Sequence, residues 1–414
     1  SRAVAHRLAV LDESLHFDVV EFQEWAAEGW AFTQRPDQLL VVRTQTPSWV
    51  IRDFEYADGN AEELQIDELE RWPLEHADVV TAPSQLGARR LSERWAVDSG
   101  AAIVIPNGIN ATRFAPLAAP PANECPVVLC VNRYSPLKGA EQFVRAAALV
   151  HQAYPQARFR MLGRDANWDG VPASQFLRGL ARSLNLPDDS LEIPGPVARE
   201  ELPAEYAAAD VCVNPSLYEN VSHTALEALA CGRPTVMTSG QGNAEYVHHG
   251  KDALVVPPGE SDSLAQAIST LLGDAALRER IGAAARGLVE TTLSAEVVVD
   301  QTEAVYRKGL QSLMGRAAIA PAPITIAILT HNALEHTQRC LASLAAHTPA
   351  PHQIFILDNA STDDTPAWLS SLAAPHIPNN QGSVAPVTVT APEGCLLHAL
   401  SPSPTGGRHI VGHF

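Results

Sequence analysis

Four side chains near the middle of this 414-residue sequence are of types that handle phosphate and sugar. Arg133 and Lys138 stand in "VLCVNRYSPLKGAEQF", the first just beyond an apolar run and the second just ahead of Gly139 and a helical pattern. At the carboxyl edge of a parallel sheet, two cations beside a helix start suit a diphosphate, because the helix tip adds free N–H groups and a partial positive charge. Two basic loop residues can equally be solvated surface charges. Glu219 and Glu227 lie in "NPSLYENVSHTALEALACGRPTV" with seven residues between them. Pro215-Ser216 ends a strand, Ser222 can cap a helix and Gly232 stops it, so Glu219 falls in a loop and Glu227 in the second helical turn. A carboxylate fixed there accepts hydrogen bonds from two vicinal hydroxyls, such as a ribose presents, while the amides of Asn220, Val221, Ser222 and Thr224 point towards an anion. Taken alone, such a pair of glutamates also reads as one exposed loop residue and one solvated helix position.

A parallel sheet must hold these groups, and the sequence carries the pattern of one. Residues 17–116 alternate short β-branched runs ("FDVVEF", "QLLVVRT", "DVVTAP", "AAIVIPNGIN") with helical patterns, including "EELQIDELERWPLEHA" and a helix capped by Ser84. Strand and helix alternating in this way predict a sheet with helices on its faces. The proline-rich "APLAAPPANECP", 115–126, reads as a linker. A second series follows in "VVLCVN", a helix from Ala140, "ARFRMLG", a helix over 174–184, "LEIPG", "DVCVNPS", "PTVMTS" and "ALVVPPG", closed by helices over 261–273 and 276–290 and a last one to Leu313. The expected division is 1–115, 116–313, a strand-helix-strand segment over 324–372, and an irregular tail over 373–414 in which only "VAPVTVTA" reads as a strand.

Forty-seven Asp and Glu against 29 Lys and Arg give a formal net charge of −18. Such a surface repels phosphate backbones and anionic lipid at long range, which argues against nucleic acid as a partner. An anionic ligand then depends on a few local cations and amides. Cys125, Cys130, Cys212, Cys231, Cys340 and Cys395 lie apart in apolar or small-residue surroundings without a CxxC pair, and read as reduced core thiols of a cytoplasmic protein. No apolar stretch reads as a signal peptide or a membrane span. The sequence starts at Ser1 rather than Met, which reads as a fragment or a processed chain.

"VNRYSPLKG", "NPSLYENVSHTALEALACGRPTV" and "GNAEYVHHGKDALVVPPG" resemble the hallmark segments of glycosyltransferase family 4, and "HFDVVEF" and "VIPNGINATRF" match it too. The resemblance covers roughly residues 16–310 and implies a retaining transferase of the α/β GT-B fold, two Rossmann-like doubly wound domains, moving sugar from a nucleotide-sugar to an acceptor. It implies that Arg133 and Lys138 bind the donor diphosphate and stabilise it as it leaves. Glu227 would hold the ribose, Glu219 and the loop after it the donor sugar, Glu245 a position near the donor, and Gly195 and Val197 the base. The implied donor is a UDP-, GDP- or ADP-sugar. The implied acceptor is a glycan or lipid-linked molecule of envelope or polysaccharide synthesis, met at the inner membrane surface, with no metal or other cofactor in the family 4 part.

Two departures stand out. Gln45 in "VVRTQTPSW" occupies the place where the family commonly has histidine; it can hydrogen-bond a sugar hydroxyl but cannot titrate near neutrality. The family's opening strand and glycine-rich loop have no counterpart, so the first domain is expected to be incomplete. Further on, "ITIAILTHNALEHTQRCLASL" and "IFILDNASTDDT" resemble the start of glycosyltransferase family 2, of GT-A fold. There Asp358, the Thr330-His331-Asn332 loop and Asp363 would contact nucleotide. The Asp-x-Asp that should follow is absent, Asp364 stands where glycine is common, and His331 and His336 are not at a metal-binding helical spacing. This segment is therefore expected to be a partial GT-A unit without catalysis of its own. A nucleotide-sugar binding module and a nucleotide-sugar epimerase remain the alternatives to a transferase.

Overall fold

The computed structural model describes residues 2–27, 29–35, 37–55, 61–95, 102–117, 123–168, 170–313, 324–330, 332–347, 352–358, 361–371 and 396–400. Linker positions 118–122, His331, Cys395 and the expected strand "VAPVTVTA" lie outside them.

The first region runs α1 (Arg2–Leu15), β1 (Val19–Gln23), β2 (Leu39–Arg43), α2 (Ser48–Glu55), α3 (Ala61–His76), β3 (Val79–Ala82), α4 (Gln85–Trp95) and β4 (Ile103–Val104). Its four strands are parallel and lie in chain order, β1-β2-β3-β4. Both faces of β2 are covered, which is why "LLVV" is apolar without alternation. Helix α1, which the strand-led reading from residue 17 passed over, places Val4, Leu8 and Leu11 at helical spacing against Phe17, Val20, Phe22 and Phe32.

The second region contains β5 (Val127–Val131), α5 (Ala140–Ala153), β6 (Arg158–Leu162), a small antiparallel hairpin of β7 (Asn167–Trp168) and β8 (Val171–Pro172), and α6 (Ala173–Ser183). It continues through β9 (Leu191–Gly195), α7 (Leu202–Ala208), β10 (Val211–Asn214), α8 (His223–Ala230), β11 (Thr235–Thr238), β12 (Leu254–Val256), α9 (Ser261–Gly273), α10 (Ala275–Leu288) and α11 (Ala295–Leu313). Its six strands form one parallel sheet in the order β12-β11-β10-β5-β6-β9. One face is covered by α5, α6 and α9, with Phe143, Val144, Phe159, Ile268 and Leu271 in its core; the other by α8 and α10, with Leu226, Leu229, Met237 and Ala285. Each such fully buried large side chain contributes about 1.5–3 kcal/mol of apolar burial. The strand order turns back between β5 and β10, and that reversal opens a crevice at the carboxyl ends of the strands.

Two devices tie the regions together. Arg286 donates from Nη1 to the carbonyls of Ala111, Phe114 and Ala230, each at 2.8 Å, fixing the chain as it leaves the first region. Helix α11 then returns to the first sheet, where Leu310 packs with Val19, Leu39 and Val41 and the Tyr306 hydroxyl donates to Glu21 Oε2 at 2.8 Å.

The third segment holds β13 (Ile324–Thr330), α12 (Leu334–His347), β14 (His352–Asp358), α13 (Thr365–Ser371) and β15 (Leu396–Leu400). β13 and β14 are parallel, and β15 pairs antiparallel with β14. The expectation of an irregular tail is corrected at "LLHAL", which supplies a partner for the open side of β14. Among the cysteines, Cys130, Cys212 and Cys231 are buried, but Cys125 is only half-buried and Cys340, on α12, is exposed, so these two are not core thiols. Burial pushes the Cys130 thiol up to about 12 and so keeps it protonated. Among the described residues no helix is long and apolar enough to cross a membrane.

Candidate functional site

The β5–β10 reversal places the two predicted loops side by side. Gly139, the residue before α5, has φ 67°, and a Cβ there would lie 2.0 Å from the Pro215 carbonyl oxygen, so only glycine allows the loops this close an approach. Lys138 Nζ consequently meets Glu219 Oε1 at 2.5 Å, with side chains 21% and 12% exposed. The Ser216 hydroxyl donates to the same carboxylate oxygen at 3.3 Å. Glu219 is held by its backbone as well, its N–H donating to Gly240 and its carbonyl accepting from Gly242, both at 3.0 Å. Arg133, exposed beyond β5, lines a cavity of about 600 Å³ with Ser135, Gln142, Arg164, Trp168 and Leu217, at the carboxyl ends of β5, β6 and β10.

Helix α8 begins as its sequence suggests, with the Ser222 hydroxyl accepting the Ala225 N–H at 3.4 Å. Glu227, five residues into the helix count, is 4% exposed rather than solvated, and the buried Tyr206 hydroxyl donates to its Oε2 at 2.8 Å. Burial raises the Glu227 carboxyl above its ordinary range, opposed by the Tyr206 hydrogen bond and by Arg199, Arg113 and Arg339. At the tip of α8, His223 faces both halves of the crevice. Desolvation lowers its pKa, the Glu219 carboxylate works against that shift, and Arg199, Arg43 and Lys138 reinforce it. Its Nε2 lies 3.5 Å from Asn107 Nδ2 of the first region. Lys138 and Glu219 thus meet just before α8, and Glu227 lies buried in the second turn of that helix, among Tyr206 and the three arginines.

Other predicted residues have different surroundings. The Ser222 N–H donates to Asn243 Oδ1 at 2.5 Å, so it is engaged within the protein and does not point at an anion as its place at a helix start led us to expect. Asn220 is buried; its side chain donates to the Gln45 carbonyl at 2.5 Å and accepts from the Ser84 hydroxyl at 2.7 Å, bridging the two regions. The Gln45 N–H in turn donates to the Glu24 carboxylate. Glu245 sits at a helix start, but at that of α4: its carboxylate accepts the N–H groups of Gln85 and Leu86, each at 2.6 Å, across the interface. Val221 packs in the core under α8, and the Thr224 hydroxyl accepts from Asn214 at 3.0 Å. Gly195, φ 96°, has open space where a Cβ would project, and Val197 is half-buried against the α8 core.

Several groups escaped the sequence reading. Asn132 and Asn214, at the ends of β5 and β10, are joined at 3.3 Å. Asn214 Oδ1 also accepts from Ser216, and its Nδ2 donates to Ser222 Oγ at 2.6 Å. A polar residue directly after each apolar strand run was the available signal. Arg113 and Arg199 near Glu227 gave no such signal, since their partners lie far away in sequence. Glu24 is fully buried at the end of β1; burial, opposed by the Gln45 N–H and reinforced by Glu70, pushes its carboxyl to about 8. In the third segment Asp358 is buried and accepts from Ser361, while Asn332 Oδ1 accepts the Thr362 N–H at 2.6 Å and Asp363 Oδ1 accepts the Thr365 N–H at 2.9 Å. Among the described residues, no group of three or more His, Cys, Asp or Glu is placed to hold a metal ion.

Comparison with known proteins accords with this architecture. The model for glycosyl transferases group 1 matches residues 118–288, that for Glycosyltransferase Family 4 residues 2–113, and that for glycosyl transferase family 2 residues 325–384. A D-inositol 3-phosphate glycosyltransferase of Kineococcus radiotolerans is 31% identical over 319 residues, 72% of each chain. One of Actinosynnema mirum is 30% identical, over 66% of this chain and 68% of its own. Among solved structures, sucrose-phosphate synthase from Thermosynechococcus elongatus aligns with a TM-score of 0.64 and 27% identity, over 74% of this chain and 77% of its own. HepE of Anabaena, solved with UDP and glucose, shares the fold with a TM-score of 0.58 at 20% identity, over 74% and 81%.

Proposed function

Because the chain belongs to glycosyltransferase family 4 and is a glycosyltransferase of GT-B architecture, we propose that its β5–β10 crevice takes a nucleotide-sugar and passes the hexosyl group, with retention, to an acceptor hydroxyl. The observation that carries this reading is the meeting of Lys138 and Glu219 at the strand reversal, with Glu227 buried in the second turn of the helix that follows. Breaking the bond from the anomeric carbon to the diphosphate builds negative charge on phosphate oxygens, so cations already in place lower the barrier. Lys138 meets that charge and Arg133 approaches it from the end of β5. In the free protein Glu219 neutralises Lys138; an arriving diphosphate takes over the ammonium and frees the carboxylate to accept from donor-sugar hydroxyls. Glu227, held by Tyr206, accepts from the ribose, and Gly195 and Val197 flank the base. The departing phosphate itself takes the acceptor's proton on the face it leaves, so no carboxylate pair of glycosidase type is needed.

The acceptor class follows the family: a glycan or lipid-linked hydroxyl at the inner membrane surface. The names of the relatives favour a second reading, a small phosphorylated polyol. Incubation with UDP-, GDP- and ADP-sugars, with each acceptor class in turn, tests both. Release of nucleotide that depends on acceptor is the expected result. Saturable binding without release leaves a binding module, and a changed sugar on the nucleotide an epimerase; either defeats the transferase reading.

A further inference from the structure

Helix α12 belongs to the third segment, yet its first turn is fastened to the donor crevice. The Glu335 carboxylate pairs with Arg113 and, at 3.4 Å, with Arg199 Nε, and Arg339 of the same helix closes on it as well. Arg199 Nη1 donates to His336 Nε2 at 2.7 Å, which requires a neutral imidazole acceptor. His336 meets that condition: burial and the neighbouring Arg199, His223, Arg339 and Arg113 bring it down to about 4. Arg113 and Arg199 are also the cations nearest in effect to Glu227, after burial and Tyr206. Both retain capacity. Arg113 Nη2 and Arg199 Nε are shielded from solvent and, apart from ion-pair contacts at 3.6 Å and 3.4 Å, have no hydrogen-bond acceptor among the described residues.

A carboxylate held between two arginines beside a ribose-binding glutamate occupies the place of an anion. We propose that α12 is an intramolecular lid in which Glu335 competes with a nucleoside diphosphate for Arg113 and Arg199, so that the third segment holds the transferase site closed until donor displaces it. This rests on the nucleotide-sugar reading of the crevice. The docking is electrostatic at the crevice, and it has a second part, because α12 also lies along α11 and β13 lies against β1. The lid can therefore swing at its charged end without losing its whole attachment.

The test uses the full chain carrying Glu335→Lys or the milder Glu335→Gln, with UDP, GDP and ADP as probes in titration calorimetry and circular dichroism to verify folding. Both variants should bind the preferred nucleotide more tightly, Glu335→Lys by about fivefold or more, and saturating nucleotide should speed amide exchange over residues 334–347 in the unaltered chain. Unchanged or weaker binding in both variants, or exchange over α12 that nucleotide leaves alone, overturns the lid. Glu227→Ala separates this from the functional reading: if it weakens nucleotide binding while the Glu335 variants do nothing, the crevice stands and the lid falls. If no nucleotide binds any of these chains, both fall.

Discussion

In the sheet that begins with β1 the strands follow chain order, whereas in the sheet β12-β11-β10-β5-β6-β9 the order turns back between β5 and β10. In the first sheet each strand pairs with the next in the chain, so the loops beyond its carboxyl edge stay shoulder to shoulder. In the second, the loops after β5 and β10 leave in opposite directions and a gap opens between them. The use of polar groups differs accordingly. Loops at the edge of the first sheet are engaged in holding its neighbour, through Gln45 and Ser84 on Asn220, through the N–H groups of Gln85 and Leu86 on Glu245, and through the Pro83 carbonyl, which accepts from Tyr246 at 2.7 Å. The loops of the second keep Lys138, Glu219 and His223 turned to the gap. One sheet therefore buttresses and the other binds.

The contrast can be broken most sharply at Lys138. Lys138→Ala should lower turnover about 100- to 1,000-fold, the loss expected when one stabiliser of developing phosphate charge is removed, with a far smaller change in donor KM; steady-state nucleotide release reads both. An equal loss in KM alone would make Lys138 a ground-state contact. Next comes Glu227→Ala, which should weaken nucleotide binding by about 1–3 kcal/mol through lost charged hydrogen bonds. Tyr206→Phe is the control for the packing around Glu227, and calorimetry gives the comparison.

Two smaller effects belong to the buttress. Glu245→Ala removes the carboxylate that caps α4 and should cost about 1 kcal/mol of stability, seen in thermal unfolding as a loss that leaves nucleotide affinity nearly unchanged. Glu24 supplies a pH signature. Its folded-state pKa of about 8 lies above the ordinary carboxylate value of 4.5, so the folded chain binds more protons than the unfolded one between those limits. Its stabilising contribution is complete below the lower limit and lost as pH rises through the higher one. Glu24→Gln should flatten the decline in melting temperature between those two pH values, and an unaltered slope would remove Glu24 as its source.

What the sequence disclosed was whatever local pattern can encode. The apolar runs at 127–131 and 211–214, the glycine after Lys138, the serine before His223 and the glutamate spacing lie within one or two elements, where periodicity and capping act directly. Helix α1 was passed over although Val4, Leu8 and Leu11 have helical spacing, because the reading began from β-branched runs. Contacts made by folding were out of reach. Glu245 caps a helix that starts 160 residues earlier, Asn220 reaches Ser84 across 136, and nothing beside either residue foretells its partner. Glu227 was placed correctly on its helix, but its burial depends on Tyr206, which comes from the preceding helix. At β15 the alternation that marks a strand was faint, and an open edge on β14 supplied what propensity did not.

The contact at Gly139 has a consequence for redesign. Since main chain touches main chain there, the spacing between the walls that carry Lys138 and Glu219 is fixed by peptide geometry and is indifferent to which side chains line them. Exchanging those side chains should retune sugar preference at constant aperture, whereas adding even a single methyl at Gly139 would pry the walls apart and change every substrate's fit together.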